Sequence, residues 1–140
     1  LGDVYKRQNL MQSMGIAMAV ASNKSPLSLH KALETSELLP YFKVFRGAGL
    51  LPPKPNPQML LEILDVFQIP PHEVVMVGDS FADIEMARNV NVDAIAMDWY
   101  ASGVWNADQM GAKTVVHTIE QLASSLGLSL SYGDKIEQDV

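Results

Sequence analysis

VVMVGDSFAD, residues Val74–Asp83, joins a strand, a sharp turn and a helix start within one short stretch. Glu73–Val77 (EVVMV) reads as a compact buried strand. Gly78 ends it. Ser80-Phe81-Ala82-Asp83 has capping-box spacing, in its Asp variant, and predicts a helix to about Val90. A strand that runs directly into a helix is half of a βαβ unit.

The unit recurs on both sides. Upstream, Gly15–Ala21 (GIAMAVA) reads as a parallel strand buried on both faces, and Ser25-Pro26 supplies a cap and a first-turn proline for a helix to about Glu37. Tyr41–Arg46 reads as a strand and Gly47–Asn56 as a glycine- and proline-rich loop. Asn56-Pro57 repeats the cap-plus-proline start, and the helix it opens carries Leu60, Leu61, Ile63, Leu64 and Phe67 on one broad face until Ile69-Pro70-Pro71. Downstream come a strand at Asp93–Met97, a short helix at Val104–Met110 and a strand at Thr114–Val116. A second capping box, Thr118–Gln121, opens a helix to Leu126. Strands alternating with helices imply right-handed crossovers and an α/β fold with a doubly wound parallel sheet.

The domain spans residues 9–127. LGDVYKRQ (1–8) has no periodicity and reads as an adapter-derived or fusion scar; residues 128–140 turn polar and read as a disordered tail. Lys6 and Arg7 ahead of Met14–Ala21 imitate a signal peptide, but the run is at the short limit and suits a buried strand better.

At 140 residues and 15.3 kDa the chain fits a single domain, and 48% apolar against 19% charged residues excludes disorder throughout. A net charge of -6 with no basic stripe disfavours nucleic acid and anionic membranes as partners. The absence of cysteine removes disulfides, Cys-based zinc sites and thiol nucleophiles. No apolar run reaches membrane-span length, and a cytoplasmic location is expected.

In doubly wound sheets function collects at the carboxyl ends of strands. Ser22-Asn23-Lys24 offers a hydroxyl, an amide and an ammonium before a helix N-terminus, suited to an anion or equally to capping that helix. Lys54 stands in LPPKPNP, whose prolines stiffen the backbone around it, and can neutralise a phosphate or balance carboxylates; a solvated loop lysine is the plainer alternative. Asp79 at the strand tip and Asp83 in the first helical turn could share Mg²⁺, although Asp83 could also simply cap the helix. His30, His72 and His117 lack ligand spacing, and Gly47-Ala48-Gly49 lacks the third glycine of a dinucleotide fingerprint. Trp99, Tyr100 and Trp105 could line a pocket, with packing the commoner role.

Taken in order, AVASNK (19–24), KPNP (54–57) and VVMVGDSFAD (74–83) resemble the haloacid dehalogenase superfamily, most closely its phosphoglycolate phosphatase-like hydrolases. The resemblance implies that Ser22 hydrogen-bonds a transferring phosphoryl group, with Asn23 helping to hold it. Lys54 would offset its charge, Asp79 would ligate Mg²⁺ and Asp83 would support the metal. It implies a small phosphorylated metabolite as substrate and an aspartyl-phosphate intermediate. The family's nucleophile lies in a D-x-D motif, and no D-x-D occurs in these residues. Its strand belongs at the sheet centre, between those bearing Ser22 and Asp79, so the core is expected to be incomplete and the chain alone inactive. A non-catalytic phosphate-binding or structural role, a receiver-like signalling domain and a sugar-phosphate mutase are the alternatives. The order hydroxyl, lysine, acid disfavours the receiver.

Overall fold

The computed structural model describes residues 8, 9, 11–99 and 111–128. The expected helix at Val104–Met110, the aromatics Tyr100 and Trp105, and most of the proposed scar and tail lie outside the described residues. Residues 8, 9 and 11–13 are helical and lead toward β1 (Ala19–Ser22). There follow α1 (Pro26–Thr35), β2 (Val44–Gly47), α2 (Gln58–Phe67), β3 (Val75–Gly78), α3 (Phe81–Arg88), β4 (Asp93–Met97), β5 (Thr114–Val116) and α4 (Ile119–Ser125).

Each helix begins where a side chain can satisfy its free N–H groups. Ser25 Oγ accepts from Ser28 N–H at 3.2 Å with Pro26 in the first turn, and Thr118 Oγ1 accepts from Gln121 N–H at 3.1 Å. Asn56 Oδ1 accepts from Gln58 N–H at 3.0 Å, which starts α2 just past the proline. The second capping box closes one residue early: Gln121 Oε1 accepts from the N–H of His117 rather than reaching Thr118. Two expected strands begin later than their composition suggests. Pro40 and Pro71 favour 3₁₀ turns at Leu39–Tyr41 and Pro71–Glu73, so pairing starts only at Val44 and Val75. β1 pairs only from Ala19, matching the four residues of β2.

All strand pairs are parallel. β1 lies beside β2 with Ala19 opposite Val44 and Ser22 opposite Gly47; β3, β4 and β5 form a separate sheet in that order. Met59, Leu60 and Leu64 of α2 pack with Ile84, Met86 and Ala87 of α3 against Ala94 and Ala96 of β4. Ile95, Met97 and Val116 point the other way and meet Leu122 and Leu126. Helices thus cover both faces, as a doubly wound fold requires, and each fully buried aliphatic side chain stabilises it by about 1.5–3 kcal/mol.

β1 and β3 do not pair with one another, so the sheet is split between the strands carrying Ser22 and Asp79. Two burial expectations are therefore corrected: Gly15–Ala21 is not buried on both faces, since residues 15–17 are exposed and the residues of β1 are only half-buried, and β3 is not a buried strand. Val75 and Val77 are 38% and 36% exposed, because nothing among the described residues covers their side of the strand.

Candidate active site

Ser22 ends β1, and its Oγ accepts the N–H of Lys24 at 3.1 Å. A hydroxyl has a donor as well as lone pairs, so the Ser22 proton stays available. Helix capping falls to Ser25 instead, which leaves Ser22 and Asn23 outside that role. Asn23 Oδ1 accepts the backbone N–H of Lys54 at 2.8 Å.

Lys54 is brought to the same place by its other end. Its Nζ lies 2.6 Å from Asp83 Oδ1 and 3.3 Å from the carbonyl oxygen of Ala21. The two charged side chains are 12% and 6% exposed, so Lys54 is no solvated loop lysine. An ammonium has three donors, and two are engaged. No described residue takes the third.

Asp83 is positioned by the turn that the sequence placed at Gly78. The Ser80 hydroxyl donates to Asp83 Oδ2 at 2.9 Å and accepts from Asp83 N–H at 3.3 Å. The first capping box is thus closed through the hydroxyl of Ser80, while the other carboxylate oxygen serves Lys54. A Cβ on residue 78 would overlap the Asp83 carboxylate, so only glycine lets β3 pass this close. The ion pair joins the carboxyl end of β1 to the first turn after β3, across the split in the sheet.

Asp79 follows β3 immediately and is exposed. Among the described residues no cluster of three His, Asp or Glu side chains is poised for a metal. Asp83 already faces an ammonium, so Asp79 is the carboxylate free to take a cation. That fits Mg²⁺ in one respect: the ion is commonly held by one or two carboxylates, with water and substrate phosphate completing its shell.

The remaining sequence candidates do not join this cluster. His30 pairs with Glu34 at 3.8 Å and tilts against Phe45, while His72 sits on the 3₁₀ turn before β3. A Cβ on Gly47 would meet the β1–α1 turn at Lys24 and Pro26, so this glycine makes room for backbone. Trp99 is half exposed just after β4. One acid was passed over. Asp98, directly beyond β4, is buried at 4% exposure; its backbone oxygen accepts from His117 Nδ1 at 3.0 Å, and its carboxylate lies 3.6 Å from the same ring. Its signal was the one that singled out Asp79, an acid directly following an apolar strand.

The family model for haloacid dehalogenase-like hydrolases matches residues 3–91. A phosphoglycolate phosphatase of Chromobacterium violaceum is 32% identical over 114 residues, 81% of this chain and 50% of that protein. One from Nitrosospira multiformis is 36% identical over 81 residues, 57% of this chain and 36% of its own. The crystal structure of a HAD phosphatase from Thermococcus onnurineus superposes with a TM-score of 0.75 at 25% identity, covering 91% of this chain and 58% of that one. The chain therefore spans about half the length, or less, of these curated relatives.

Proposed function

The chain belongs to the haloacid dehalogenase-like hydrolases, and on that basis we propose that it supplies the charge-clamping half of a Mg²⁺-dependent phosphomonoester hydrolase acting on a small phosphorylated metabolite. One observation carries the reading. The Lys54 ammonium is fixed between Ala21 O and Asp83 at the strand ends, with a third donor that no described residue takes. Phosphoryl transfer depends mainly on positioning and charge neutralisation, and these groups provide both.

In the complete reaction a carboxylate oxygen attacks phosphorus, the bond from phosphorus to the ester oxygen breaks, and the alcohol leaves with a proton. Water then hydrolyses the aspartyl-phosphate. The attacking Asp comes from outside these residues, since no D-x-D occurs in them. Ser22 donates its O–H to a phosphoryl oxygen. Lys54 directs its remaining N–H to another, and Asp83 keeps that ammonium in place while balancing its charge. Asp79 would hold Mg²⁺, with Asp83 becoming a further ligand only if Lys54 moves off it. The metal would neutralise phosphate charge when bound.

Inorganic phosphate titrated into the chain with Mg²⁺ present, followed by amide chemical shifts, tests the reading. Saturable shifts at Ser22 and residue 54 are expected, and in Lys54→Met they should need a markedly higher phosphate concentration. A chain that binds no phosphate overturns it and leaves a structural role.

A further inference from the structure

The loop carrying Lys54 is poor in backbone donors. Pro52, Pro53 and Pro55 have no N–H, so across residues 52–55 the Lys54 amide is the single backbone donor. That donor goes to Asn23 Oδ1 at 2.8 Å. Because a backbone N–H can only donate, the side-chain atom facing it is the carbonyl oxygen, and the Asn23 amide nitrogen is turned elsewhere. The other end of the same lysine bonds Ala21 O. Lys54 therefore straddles the end of β1, held at its backbone by Asn23 and at its ammonium by Ala21, with Ser22 between them.

From this we infer that Asn23 is a positioning residue, acting on the bound anion through Lys54 and not by touching it. The inference rests on the anion-binding reading of Lys54 and Ser22, and it revises what the family resemblance implied for Asn23, which was direct support of the phosphoryl group. Without the Asn23 oxygen the loop keeps its proline stiffness but loses the tie that holds its backbone beside the end of β1. Its lysine is then aimed only through its ammonium, by Asp83 and by the carbonyl of Ala21.

Two measurements on the full chain test it. The first is amide hydrogen exchange. Asn23→Ala should speed exchange at Lys54 at least tenfold while the amides of α2 and α3 keep their wild-type rates. Asn23→Asp retains an acceptor oxygen and should keep the Lys54 amide slow. Unchanged exchange at Lys54 in Asn23→Ala overturns the inference, as does a uniform rise across the chain, which would mark general destabilisation. The second is a cycle of inorganic phosphate affinities. Asn23→Ala is made in the wild-type chain and in a background carrying Lys54→Met with Asp83→Asn, which removes the ion pair without stranding either charge. Roughly five- to tenfold weaker binding in the first setting, and no further loss in the second, supports action through Lys54. Equal losses in both mean that Asn23 touches the anion itself and overturn it. Should the wild-type chain bind no phosphate, the anion-binding reading falls, and amide exchange alone then decides whether Asn23 holds Lys54.

Discussion

Lys54 and Asp83 carry most of what is chemically specific here, and their energetics differ from those of a surface pair. Both side chains are largely removed from water, so each needs the other to offset lost hydration. Lys54→Met strands a carboxylate at 6% exposure and is expected to cost about 3–5 kcal/mol of stability, read from urea unfolding. Adding Asp83→Asn should recover part of it, with a coupling of about 0.5–3 kcal/mol; strict additivity would mean the pair anchors nothing. In a protein that restores the nucleophile, Lys54→Ala should lower turnover by about 10²–10³, by analogy with loss of an oxyanion-hole donor. Asp83→Ala should do less, because Ala21 O still guides the ammonium. Steady-state kinetics at saturating Mg²⁺ rank the two, and the opposite order refutes this division of roles.

At the scale of elements, two glycines decide how closely strands approach their neighbours. Gly47 faces main-chain atoms of the β1–α1 turn, 2.8 Å from Pro26 N once a Cβ is placed, and backbone yields poorly. Gly78 faces the Cβ of Asp83 as well as its carboxylate, and that Cβ moves only with the backbone of α3. Gly47→Ala should therefore destabilise by about 1–3 kcal/mol or more, as overpacking does. Gly78→Ala should cost a similar amount and in addition push Asp83 away from Lys54, so phosphate affinity should fall further than in Gly47→Ala. Unfolding midpoints and phosphate titrations on both variants check this, and equal losses of affinity would contradict it. The caps are more ordinary: Ser25→Ala should cost about 1 kcal/mol by leaving the Ser28 N–H without its acceptor.

For the whole molecule the decisive feature is the split between β1 and β3. Val77 shares a face with Ile95, its partner in register on β4, yet Ile95 is covered and Val77 is open. Val77→Thr in this chain should change stability by no more than about 0.5 kcal/mol, as at other open positions. In a longer protein whose further segment fills the gap, the same change should cost about 1–3 kcal/mol for a buried hydroxyl. Denaturant unfolding of the two proteins compares them directly, and equal small costs would mean the gap stays open. The same split, with no D-x-D in the chain, predicts no turnover of p-nitrophenyl phosphate with Mg²⁺ above background. Activity that survives purification and is lost on Asp79→Asn would refute this and make Asp79 a candidate nucleophile.

By itself the sequence determined the alternation of elements, the parallel α/β class, the helix starts at Ser25, Ser80 and Thr118, and the turn at Gly78. Each depends on residues within a few positions of one another, where hydrogen-bond spacing and side-chain periodicity are enough. It also marked Ser22, Asn23 and Asp79 at strand ends, Lys54 among the prolines of the loop after β2, and Asp83 in the first turn of α3. Whether Lys54 was solvated, whether Asn23 capped a helix and what Asp83 faced stayed open, and tertiary structure decided them. The contacts concerned join positions 29, 31 and 33 residues apart, and local propensity does not specify such distant pairs. The exposure of Val75 and Val77 was hidden for the same reason. An apolar strand reads as buried whatever lies beside it, and only the arrangement of neighbouring strands leaves one of its faces open.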